Sequence, residues 1–147
     1  MKIRLYLIML IATLLLSACQ KEPLNSDVEG HWQLEQFTLK ATQEVVTCDR
    51  IYYGINRFVT EVSYKKDGNK ICFIARTAYR ENQTQLVLTD FKVAGSNTSD
   101  TKVDATEKQM EKFGINNPKE TIFQIVKCAH KQLILESDYA RLQLKKF

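Results

Sequence analysis

Histidine, glycine and proline are scarce in these 147 residues, with two, five and two copies respectively. His31 stands beside a tryptophan and His130 at an expected turn. They signpost no Ser-His-Asp or Cys-His arrangement. The few glycines build no phosphate-cradling loop. Cys48, Cys72 and Cys128 are separated by 24 and 56 positions, which fits no compact zinc motif, so no metal site is assigned. Asp67, Asp90, Asp100, Asp104 and Asp138 fall mostly in expected turns and loops, where backbone geometry accounts for aspartate. No carboxylate pair stands out for acid–base work. No apolar run reaches the roughly 20 residues that cross a bilayer as a helix; Leu5 to Leu16, broken only by Thr13, has 12. The reading is therefore not an enzyme, with neither catalytic residues nor a cofactor.

What is present begins with that short run. Lys2 and Arg4 precede it and Leu16-Ser17-Ala18-Cys19 closes it, the order of an export signal. The tetrapeptide resembles the signal of bacterial lipoproteins. That resemblance implies cleavage after residue 18 and acyl chains on Cys19. Each buried methylene contributes about 0.8 kcal/mol, so several chains hold a protein almost permanently where one holds it reversibly. Residues 19–28, which include Pro23, then read as a polar tether. Gln20 in place of aspartate points to the outer membrane. Gln20-Lys21-Glu22 resembles short Lys-plus-acid tags that carry some lipoproteins to the outer face of the cell. The expected partner is thus a membrane, through the lipid anchor.

Removing the first 18 residues takes Lys2 and Arg4 with them, lowering the 21 basic residues to 19 against 17 acids, a net of +2. This near-neutral balance gives no reason to expect nucleic-acid binding. The remaining length suits one domain, residues 29–147, with ample aromatics for a core. If Cys19 is lipidated, three thiols are left, so at most one internal disulfide forms. A Cys48–Cys72 bridge needs a sharp break between the two, for which Gly54 is the candidate; Cys48–Cys128 stays open.

Alternation of period two dominates the chain. Trp32, Leu34, Phe37 and Leu39 predict a first strand with a phase change near Gln36, the mark of a bulge. Ile51 to Tyr64 reads as one long strand with Phe58, Thr60, Val62 and Tyr64 on one face. Lys66-Asp67-Gly68-Asn69 is a hairpin turn. It pairs Lys65 with Lys70 and returns through Ile71 to Tyr79, with Ile71, Phe73, Ala75, Thr77 and Tyr79 sharing a face. Gln85 to Val93 follows, with Val87, Thr89, Phe91 and Val93 alternating. Ala94 to Lys102 is a polar loop. Asp104 and Glu107 predict a capping box for a helix of about ten residues, with Met110 and Phe113 on its apolar side and Gly114 at its end. So short a helix must dock that side. Thr121 to Ala129, Gln132 to Glu136 and Tyr139 to Lys146 complete the chain. Short connections make these strands antiparallel neighbours. Closure removes raw edges, which predicts an up-and-down β-barrel of seven to eight strands with one short helix before the last three. A two-layer β-sandwich is the alternative.

Glu29-Gly30-His31-Trp32-Gln33-Leu34, Ile51-Tyr52-Tyr53-Gly54 with Phe58, Phe113-Gly114-Ile115, and Leu133-Ile134-Leu135-Glu136-Ser137 with Ala140-Arg141-Leu142 resemble the lipocalin-like domains of unknown function in small bacterial lipoproteins. The resemblance spans most of residues 29–147. It implies that Gly30 lets the chain bend in and that Trp32 plugs one barrel end. Trp32, Tyr53, Phe58, Phe73, Phe91 and Phe123 are the candidate ligand-binding residues of an aromatic cup for a small apolar molecule. The same aromatics also suit a packed core, since small barrels have interiors just wide enough to be filled. Two functions follow: a binding module for a small apolar ligand, or a protein-interaction or inhibitor subunit of an envelope complex with a filled barrel.

Overall fold

A computed structural model describes residues 25–95 and 103–147. Eight strands follow one another: β1 (Gly30–Leu39), β2 (Val45–Ile55), β3 (Val59–Lys66), β4 (Asn69–Arg80), β5 (Gln85–Val93), β6 (Glu120–Ala129), β7 (Gln132–Glu136) and β8 (Ala140–Lys146). Each pairs antiparallel with the next, and β8 returns to β1, so the sheet closes into an up-and-down barrel. Closure leaves no unpaired edge, which favours the barrel over a sandwich. Between β5 and β6 lie one α-helical turn, α1 (Glu107–Met110), and a 3-10 turn over Glu111–Phe113. The signal and Cys19 lie outside the described residues, as does most of the Ala94–Lys102 loop.

Register explains which residues reach the interior. In β1 the pairing with β8 steps from Leu34↔Leu144 to Gln36↔Gln143, leaving Glu35 as the extra residue. That bulge resets the alternation, so Trp32, Leu34 and Phe37 all point into the core. The β3–β4 turn places Asp67 at φ 50 and Gly68 at φ 80, the conformation that a two-residue hairpin requires. Lys65 faces Lys70 and Ser63 faces Cys72, as the sequence predicts.

Three expectations change. The long strand Ile51 to Tyr64 is two strands, because the chain doubles back over Asn56 to Phe58, where the Asn56 N–H donates to the Val59 carbonyl at 3.0 Å. In β5 the inward residues are Leu86 and Leu88, then Phe91 and Val93. Asp90, at φ 56, is an extra residue between the Arg76↔Thr89 and Ile74↔Lys92 pairs, so two phases share one strand. The helix is a single α-turn capped by Thr106 and Gln109 rather than by Asp104 and Glu107: Thr106 Oγ1 accepts from the Gln109 N–H at 3.3 Å and Gln109 Oε1 from the Thr106 N–H at 2.9 Å. Asp104 bridges to Lys92 instead, and the Lys92 ammonium holds its carboxyl below the ordinary range.

Cys48, Cys72 and Cys128 are free thiols. Cys48 packs against the core from β2, whereas Cys72 pairs across from Ser63 on the outward phase of β4. Facing opposite sides of one wall, the two cannot bridge. Cys128 lies at the Trp32 end, where its thiol donates to the Asp27 carbonyl at 3.1 Å.

Candidate functional site

The barrel interior is where the sequence places its candidates, and both ends of it are closed. At the end where the described chain begins, Gly30 takes φ 146, a conformation that side-chain-bearing residues rarely adopt. This bend brings Val28 over Trp32, whose Nε1–H donates to the Val28 carbonyl at 2.7 Å. Lys146 covers the indole face with its ammonium 5.3 Å from the ring centroid. Trp32 is 1% exposed. The expected end plug is therefore in place.

The opposite end is closed by the segment between β5 and β6. Its first residues lie along β5: the Val93 N–H donates to the Val103 carbonyl and the Ala105 N–H to the Phe91 carbonyl, each within 2.9 Å. The helical turn then dips inward, and Met110, Phe113 and Ile115 are wholly buried in the core. Phe113 meets Phe73 edge-to-face at 5.6 Å. The Tyr53 hydroxyl donates to the Phe113 carbonyl, a buried side-chain latch from β2 onto the plug. Burial pushes the Tyr53 hydroxyl pKa well above its ordinary value, with Cys48 adding in the same direction. Tyr53 therefore stays a neutral donor. Gly114, at φ 75, ends the turn where a Cβ would come within 3.0 Å of Leu142 Cδ1 and 3.3 Å of Phe37 Cγ. Only glycine fits both the backbone and the gap.

Five of the six aromatic candidates converge on this interior. Trp32, Tyr53, Phe73, Phe91 and Phe123 are all at most 1% exposed and belong to one core cluster. Phe58 does not join them. The turn before β3 breaks the alternation that would have carried it inward with Thr60 and Val62, and its side chain is 54% exposed with the Arg57 guanidinium 5.1 Å from the ring centroid. Cys19 lies outside the described residues.

A void wide enough for a water molecule would register as exposed surface on the side chains around it. Tyr53, Val62, Leu86, Leu88, Phe113 and Phe123 have none. The interior is thus packed, with the plug occupying space that a ligand would need. Thr60 and Thr77, two buried hydroxyl residues on neighbouring strands, satisfy each other by a hydroxyl–hydroxyl bond of 2.7 Å. Reasoning from sequence found the apolar side of the helix but not its destination. The signal available was Phe113-Gly114-Ile115, two large apolar residues around a glycine, beginning three positions after Met110. Among the described residues no group of three His, Cys, Asp or Glu side chains gathers to hold a metal. None of the described helices is long and apolar enough to cross a membrane.

A closed eight-stranded antiparallel up-and-down barrel is the lipocalin type of architecture. The chain belongs to the lipocalin-like domain family, which it matches over residues 14–147. Two solved structures are similar in fold. A lipocalin-like protein from Bacteroides uniformis aligns with a TM-score of 0.60 at 17% identity, covering 82% of this chain and 99% of that one. An uncharacterized protein from Bacteroides eggerthii aligns with a TM-score of 0.60 at 17% identity, covering 81% and 98%. No curated protein matches.

Proposed function

We propose that the protein is a non-catalytic binding module, tethered to an envelope membrane through lipid on Cys19, that takes a small apolar ligand into the barrel in exchange for its own plug. One observation carries the ligand reading: Met110, Phe113 and Ile115 cover the aromatic interior completely and are latched there by the Tyr53 hydroxyl. The surface the plug covers is the surface an apolar ligand would contact. Burying each such side chain contributes roughly 1.5–3 kcal/mol, so a ligand must replace that burial to displace the plug. Its apparent affinity falls by the fraction of molecules that are open.

The test uses the soluble chain from residue 20 and the fluorescent apolar probe N-phenyl-1-naphthylamine. Tyr53→Phe should raise affinity for the probe several-fold, because it weakens the latch and leaves the aromatic lining intact. Enhancement that is equal in wild type and variant sinks the exchange. Uptake by neither form favours the second reading, a permanently filled barrel that acts through an envelope protein partner. That reading has its own support in the packed interior, and crosslinking in intact cells tests it. Lipidation is tested separately: Cys19→Ser should move the protein out of the membrane fraction, and continued sedimentation with membranes refutes the anchor.

A further inference from the structure

The outer wall of the barrel carries a concavity that the interior reading does not use. It spans β1 to β4 and has a volume of about 430 Å³, within the roughly 300–1,000 Å³ of small-ligand sites. Register explains why the wall is hollow there. On the outward phase, Tyr52 faces Ser63, which faces Cys72, while Gly54 faces Glu61. Small side chains therefore sit side by side, walled by large ones. Ser63 is 3% exposed although it points away from the core. A Cβ on Gly54 would stand 3.4 Å from His31 Nδ1, so any side chain there would fill the floor.

The rim is half aromatic and half charged. Phe147, 77% exposed, stands edge-to-face to Tyr52 at 5.3 Å. Its N–H donates to the His31 carbonyl at 2.9 Å, which holds the backbone of this residue beside the hollow. Across the hollow, the Lys70 ammonium meets Glu61 Oε1 at 2.7 Å. Burial opposes the charge on Glu61, but the hydrogen bond and charge of Lys70, with smaller help from Cys72 and Lys65, outweigh it and hold the carboxyl below its ordinary range.

We propose that this hollow is a carbohydrate site that takes a pyranose ring, one face against Phe147 and two neighbouring hydroxyls across Glu61 and Lys70. The chemistry selects the ligand class. A wholly apolar molecule would strip water from the Glu61–Lys70 pair and return nothing. A simple anion would meet the Glu61 carboxylate, which already holds Lys70 at 2.7 Å, while the second ammonium on the rim, Lys65, is engaged by Tyr52 at 5.0 Å from the ring centroid. A hydroxyl both donates and accepts, so a vicinal diol satisfies a carboxylate and an ammonium together while the C–H face of its ring covers the aromatic corner. This site is independent of the barrel interior.

Titration of the folded, isotope-labelled chain with methyl glucoside, methyl galactoside, methyl mannoside and methyl N-acetylglucosaminide, followed by amide shifts, tests it. The expected result is saturable shifts at Tyr52, Gly54, Glu61 and Ser63 with at least one sugar, while interior reporters such as Leu86 and Phe123 stay still. Phe147→Ala and Glu61→Gln should each weaken that binding by roughly fivefold or more. Both side chains lie on the surface, so the fold is checked by the unchanged remainder of the spectrum. Two results overturn the proposal: no sugar moves these amides up to its solubility, or cyclohexanol moves them as strongly as the sugars do.

Discussion

Trp32 and Tyr53 each tie a cap to the barrel, one by an indole N–H and the other by a phenol. Trp32 fills its end of the core and donates to the Val28 carbonyl. Trp32→Ala removes the largest buried side chain and should cost about 3–5 kcal/mol, read as a lower urea midpoint. Tyr53→Phe keeps the ring and removes only the hydroxyl bonded to the Phe113 carbonyl. The expected loss is about 1 kcal/mol, with faster hydrogen exchange at Met110 and Phe113 than at β7. Titration works at this scale too. Burial pushes the thiols of Cys48 and Cys72 up to about 11, with the Glu61 carboxylate adding to the shift at Cys72. Groups whose folded pKa is raised stabilise fully below their unfolded value and lose that contribution as pH climbs through the folded one. Stability should therefore hold through neutral pH and fall between pH 9.0 and about 11. Burial raises Tyr53 in the same direction, which steepens the fall further up. Urea midpoints across this range check it, and Cys48→Ala should make the decline shallower.

The plug is the element on which the proposed function turns. It owes its shape to a capped α-turn, a 3-10 turn and one left-handed glycine, none of which could stand alone in water. Its stability is the packing of Met110, Phe113 and Ile115. Gly114→Ala adds a Cβ 3.0 Å from Leu142 Cδ1 and asks alanine to hold φ 75. The left-handed backbone alone costs roughly 1–2 kcal/mol. The variant should melt several degrees lower, and its extra exchange should concentrate in residues 103–118 rather than spread evenly around the barrel. The bulges at Glu35, Asp90 and Val126 are further decisions made at this scale, since each turns the rest of its strand over by one residue.

Closure through β1 and β8 leaves the barrel no open strand edge among the described residues. No disulfide staples the described residues. The melting temperature of the chain from residue 20 should thus be the same with and without reductant, and thiol titration after unfolding should count Cys48, Cys72 and Cys128 all as free. A reductant-sensitive melt would mean that two of them pair.

Much of this was legible in the residues themselves. Alternating apolar positions located most strands, Asp67-Gly68 set the β3–β4 register, and Leu34 followed by Phe37 announced the first bulge, because backbone geometry reads such patterns locally. Gly30 and Trp32 foretold one closed end only through the family resemblance that their motif carries. The break at Asn56 to Phe58 carries no glycine or proline, so its loss of alternation left Phe58 misplaced. Asp90 likewise looks like any strand residue until pairing with β4 forces it out of register. Whether five aromatics make a cup or a core was beyond any local rule. The answer depends on Phe113 and its neighbours arriving from between β5 and β6 to meet Phe73 and Tyr53, a contact between residues far apart in the chain that exists only once the barrel has closed.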